Sequence, residues 1–149
     1  MKPLNEIKIG IASDHAGFEL KQYLLSFLKD KGCTVTDFGT NSTASCDYPD
    51  FAHPLANAIE KNECDFGIAI CGTGNGISIT LNKHQSIRAA LCWDTPLAEL
   101  ARQHNDANIL SLPARFISAE KAVEMVEAFF STDFEGGRHQ ARVDKIALK

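Results

Sequence analysis

No two cysteines stand in a C-x-x-C spacing, and the five present, Cys33, Cys46, Cys64, Cys71 and Cys92, are an odd number. That argues against a disulfide framework and against a cysteine zinc site, and it fits a reduced, cytoplasmic protein. Cys33, Cys64 and Cys92 read as buried core thiols; Cys46, in a polar stretch beside Asp47, reads as incidental. There is also no long hydrophobic run. Stretches such as Ile7–Ala12, broken by Lys8 and Gly10, are the size of a strand and far from the length of a membrane span, and no secretory h-region stands at the N-terminus. An excess of positive charge is missing as well. The net charge of −4 gives no global field for nucleic acid, so any anion site must be a local basic cluster. With no repeat, low-complexity tract or Pro/Gly linker, the 149 residues read as one domain, 1–149.

What is present is alternation. Strand-like runs at Ile7–Ser13, Thr34–Phe38, Asp65–Cys71, Ile87–Cys92 and Asn108–Leu112 are separated by segments of helical spacing. Phe18, Leu20, Tyr23, Leu24, Phe27 and Leu28 mark the first helix, which Gly32 stops. Further helices are expected over Phe51–Lys61, Ile77–Lys83 and Pro96–Gln103, from a cap at Ser118 to Phe130, and over a short terminal stretch at Val143–Ala147. Gly39–Tyr48 is a polar loop. Strand–helix alternation repeated five times predicts a Rossmann-like α/β/α sandwich: three layers around a five-stranded parallel sheet, with right-handed crossovers. Ligands in such sheets sit beyond the carboxyl ends of the strands, so chemistry is expected just after Ser13, Phe38, Cys71, Cys92 and Leu112.

Four segments carry polar chemistry. In Cys71-Gly72-Thr73-Gly74-Asn75-Gly76 the glycines leave backbone N–H groups unshielded, and those amides favour negative charge, including a thiolate. The loop therefore offers a base and an oxyanion hole together; on its own it is equally readable as a plain Gly-rich turn over a buried thiol. It fails the dinucleotide fingerprint, which needs G-x-G-x-x-G, and the Walker loop, which needs Lys before Ser78 where Ile77 stands. A phosphatase-type cysteine loop would need arginine at Ile77. In Ser13-Asp14-His15-Ala16-Gly17, a carboxylate and an imidazole adjoin, and the plainer reading is that Asp14 caps the helix. His104 and Asn105 lie in a dense polar run, Arg102–Asn108, between a helix end and a strand; a histidine there is also favoured by the helix dipole. Arg138 and Arg142 are four residues apart, on one face if helical, and suit a phosphate as well as a solvated basic tail.

Taken together and in order, SDHAG at 13–17, DYPDFA at 47–52, CGTGNGISI at 71–79, NK at 82–83, IRAALC at 87–92, RQHNDAN at 102–108 and EGGRHQARVDKI at 135–146 resemble the ribose-5-phosphate isomerase B and galactose-6-phosphate isomerase family, over nearly the whole chain. The resemblance implies an aldose–ketose isomerase of the non-oxidative pentose phosphate pathway. It implies Cys71 as the base between C1 and C2, Thr73 assisting proton movement between the oxygens, and the amides of Gly72, Gly74, Asn75 and Gly76 holding the enediolate. His104, helped by Asp14, would open the ring; His15, Arg115, Arg138 and Arg142 would hold the phosphate; Tyr48 and Asn105 would line the sugar site. It implies no cofactor and no metal, and a homodimer or tetramer whose sites lie between subunits, with the tail 135–149 crossing over. One branch of the family uses a glutamate in place of the cysteine; Cys71 and Asn75 put this chain in the cysteine branch. Pro113-Ala114 replaces the usual Gly-containing pair before Arg115 and reduces backbone freedom there. A six-carbon sugar phosphate, a non-catalytic sugar-phosphate sensor and a flavodoxin-like nucleotide module are the competing expectations. The last lacks the acidic residue that would hold a ribose.

Overall fold

A computed structural model describes residues 1–149. After a 3-10 turn at Leu4–Glu6 come β1 (Lys8–Ser13), α1 (Phe18–Asp30), β2 (Thr34–Asp37), α2 (Pro49–Glu60), β3 (Phe66–Cys71) and α3 (Asn75–Leu81). These are followed by β4 (Ala89–Leu91), α4 (Thr95–Asn105), β5 (Ile109–Pro113), α5 (Ala119–Phe129) and α6 (Arg138–Asp144). The strands form one sheet in the order β2-β1-β3-β5-β4, and every pairing is parallel. Parallel strands need crossover helices, which cover both faces. Ile9, Ile11, Ile68, Ile70, Leu110 and Leu112 meet α1, α4 and α5 on one face; Ala12, Ala69, Cys71 and Ile109 meet α2 and α3 on the other. No helix is long and apolar enough to cross a membrane.

The expected three layers and five strands are therefore present, with shifted ends. α3 begins at Asn75 rather than Ile77, because Gly74, at φ 76°, makes the left-handed turn that starts it. β4 keeps only Ala89–Leu91; the flanking Ile87 N–H is drawn off to the His84 carbonyl. α2 starts at Pro49, whose missing N–H costs nothing in a first turn. The terminal helix is Arg138–Asp144, not Val143–Ala147. Its sequence has little apolar periodicity, and what holds it is docking against α4.

Burial also sorts the thiols. Cys92 is 1% exposed, and burial pushes its pKa up to about 12; burial raises Cys64 and Cys33 as well. The unfolded chain then loses these protons first, so it binds fewer protons than the native state above pH ~9 and stability must fall as pH rises. Cys92 alone contributes about 1.4 kcal/mol per pH unit across that window. Urea midpoints taken from pH 8 to 11 should decline, and Cys92→Ala should flatten the decline.

Candidate active site

The chain leaves β1 toward α1 on one face and β3 toward α3 on the other, which opens a crevice between the carboxyl ends of these adjacent strands. Asp14 and His15 stand on one side of it and Cys71 on the other. The Asp14 N–H donates to the Ile70 carbonyl (3.2 Å), and one carboxylate oxygen accepts from the Gly17 N–H (3.1 Å). The helix cap expected of Asp14 is not made, since α1 starts after Gly17 with no side-chain cap; Asp14 ties the turn before the helix instead and leaves its second oxygen free. The backbone N–H of Cys46 donates to His15 Nδ1 (3.2 Å). Nδ1 must then be the acceptor, so the proton sits on Nε2, where it can be given to an anion. Cys46, incidental in the sequence reading, fixes the tautomer of His15 through its amide.

An ion pair with one buried partner steadies this end of the sheet. Lys21, fully buried, reaches Asp37 at 2.7 Å. The other Asp37 oxygen accepts from Gly39 N–H (2.8 Å), and Gly39 and Thr40 pair with the backbone of Ser13, next to Asp14. Nothing in the sequence pattern pointed to Lys21 or Asp37.

Cys71 ends β3 and is 4% exposed. In the loop that follows, the N–H groups of Gly72, Thr73, Gly74 and Gly76 have no protein acceptor, while Asn75 N–H is taken by Thr73 Oγ1 (3.2 Å). Free amides beside a thiol make a preorganised hole for an anionic oxygen. Tyr48 covers the loop from the start of α2: a Cβ on Gly76 would lie 2.4 Å from its ring. Arg115 closes the other flank. Ala114 N–H donates to the Cys71 carbonyl (2.9 Å) and Arg115 N–H to the Gly72 carbonyl (3.1 Å), which lays the guanidinium against Gly72. Pro113 ends β5 opposite Cys71 and does not hinder this course.

The remaining expected residues are elsewhere. His104 and Asn105 end α4 at the edge where the strands begin, one strand length from Cys71, or roughly 15 Å. Arg102, buried against Phe66 and Phe129, pairs with Asp106 (2.9 Å), which also meets Arg88 (3.5 Å), and so fixes this corner. The tail stays at the same edge: Glu135 N–H donates to the Gln103 carbonyl (3.1 Å), and the His139 ring stacks on His104 at 4.2 Å. Burial first, then His104 and Arg138, holds His139 below its ordinary pKa, with Glu135 pulling the other way. Arg115, Arg138 and Arg142 are exposed and take part in none of the ion pairs, unlike Arg88 and Arg102. One chain therefore holds these two groups of residues at opposite ends of its strands. A concavity of about 510 Å³, lined by residues including Ile59, Cys64 and Asn108, reaches neither Cys71 nor His104.

This is a doubly wound α/β fold with a thiol and an amide-lined loop at its topological switch point. The sequence profile of the Ribose/Galactose Isomerase family matches residues 9–146, and the chain belongs to that family. It is 45% identical to ribose-5-phosphate isomerase B of Escherichia coli K12, over 93% of both chains. Among solved structures, the ribose 5-phosphate isomerase of Thermotoga maritima superposes with a TM-score of 0.94 at 53% identity, covering 96% of this chain and 99% of that one. The Mycoplasma genitalium ribose-5-phosphate isomerase B with bound ribulose-5-phosphate superposes with a TM-score of 0.89 at 46% identity, covering 93% of each.

Proposed function

We propose that the chain interconverts D-ribose 5-phosphate and D-ribulose 5-phosphate through an enediolate, with Cys71 as the base. The observation that carries this reading is the loop after β3: a thiol beside four backbone N–H groups that no protein atom accepts from. The Cys71 thiolate takes the proton from C2 of the open-chain aldehyde. The C2–H electrons form the C1–C2 double bond, and charge moves onto O1, facing the free amides. The proton returns to C1, and the O2 proton passes to O1 with help from Thr73, leaving the ketone at C2. The bound Mycoplasma genitalium product supports a five-carbon substrate.

Two copies complete the site. Asp14, His15, Tyr48, Arg115 and the Cys71 loop come from one, and His104, Asn105, Arg138 and Arg142 from the other. Their separation by a strand length within one chain supports this. His104, aided by Asp14, opens the furanose, and His15 with the three free arginines holds the phosphate.

The test is turnover of ribose 5-phosphate with chelator present. Conversion to ribulose 5-phosphate supports the reading. An inert protein that acts on galactose or allose 6-phosphate moves the substrate to six carbons, and one inert on all of them leaves a sugar-phosphate sensor. Gly76→Ala is expected to displace Tyr48 and lower turnover about 10²-fold at an almost unchanged melting temperature; a value near wild type would remove Tyr48 from the sugar wall.

A further inference from the structure

Glu135 and His139, on the tail, take no part in the reaction proposed above. The fold brings them to His104. One ligand atom from each of the three lies within 4.8 Å of the others, and Glu135 Oε1 is 3.4 Å from His139 Nε2. His139 is 7% exposed, and its Nε2 is buried without a hydrogen-bond partner. A buried imidazole nitrogen left unpaired is costly, and here it faces a carboxylate across a gap with poor hydrogen-bond geometry. A tetrahedral cation with bonds near 2.0–2.1 Å spaces its ligand atoms about 3.3 Å apart. The Glu135–His139 pair already has that spacing. His104, half-buried, must turn out of its stack on His139 for its nitrogen to close the remaining gap, up to about 1.5 Å.

We propose that His104, Glu135 and His139 bind one zinc-class divalent cation, and that the bound ion withdraws His104 from the substrate. Two imidazoles and a carboxylate suit Zn²⁺ or Co²⁺ and leave a fourth position open, whereas Mg²⁺ and Ca²⁺ prefer all-oxygen sites. The ion is not needed for the reaction; it competes with it. This second half rests on the ring-opening role given to His104, and the first half does not.

The full chain, stripped with chelator and carrying Cys71→Ala to remove the active-site thiol, is titrated with ZnCl₂ by calorimetry and with CoCl₂ by visible absorption. One ion per chain is expected, with cobalt bands that lack sulfur-to-metal charge transfer. Glu135→Gln, an exposed change that spares the fold, should weaken binding about tenfold or more. With Cys71 intact, Zn²⁺ should inhibit ribose 5-phosphate turnover, and Glu135→Gln should shift the inhibiting concentration by the same factor. No binding, a thiolate band, or affinity unchanged by Glu135→Gln overturns the site. Binding as described in a chain inactive on every aldose phosphate upholds the site and overturns the isomerase reading instead.

Discussion

Cys71→Ala is expected to lower ribose 5-phosphate turnover by about 10³-fold, within the range that a positioned base supplies, while the protein stays folded. The side chain ends β3 at 4% exposure, so truncation removes one sulfur from a packed place without unpairing any backbone group. Under the proposed mechanism its removal takes away the base that accepts the C2 proton and returns it to C1. Those amides remain and still polarise the carbonyl, which is why the residual rate should exceed the uncatalysed one. Circular dichroism and a melting curve close to wild type would show that the loss is chemical. A rate within tenfold of wild type, in the same folded protein, would mean that the proton is carried by another group.

The second large effect is a recovery. Cys71→Ala and His104→Ala, each nearly inactive alone, should regain about one quarter of wild-type activity when unfolded together, mixed equally and refolded. With two-fold symmetry, half of the dimers are mixed and each mixed dimer holds one intact site. The reason is the placement of the two side chains at opposite ends of parallel strands, where no loop movement brings them together in one copy. No recovery in refolded dimers would place the complete site within a single chain and remove the assignment of His104, Asn105 and the tail arginines to the partner copy.

The fold was legible because short apolar strands, three to six residues long, alternate with 3.6-period segments, and parallel order follows from that alternation. The placement of the candidate site was legible for the same reason, since Ser13 and Cys71 end adjacent strands. Limits appear where local pattern stops deciding structure. Arg138–Asp144 is helical with hardly any apolar stripe, because docking on α4 compensates for weak periodicity. His104 and Glu135 are far apart in sequence, and their meeting depends on where α5 delivers the tail. Lys21 reads as a surface lysine of an amphipathic helix, yet it is fully buried because Asp37 faces it across the end of the sheet. The Cys46 amide that sets the His15 tautomer carries no side-chain signal at all.

Strand order also sets a chronology for synthesis. By the time Cys71 has left the ribosome, β2, β1 and β3 are all available as immediate neighbours, with α1 and α2 to cover them, so the half of the sheet that carries Asp14, His15 and the thiol can assemble at once. β4 is made before β5 but pairs only with β5, so it waits through the whole of α4 without a partner. The C-terminal half of the sheet can therefore close only once β5 enters between β3 and β4. Only then do Arg115 and the corner beneath His104 find their places, which makes a nascent chain stalled before Ile109 a carrier of the thiol loop without the rest.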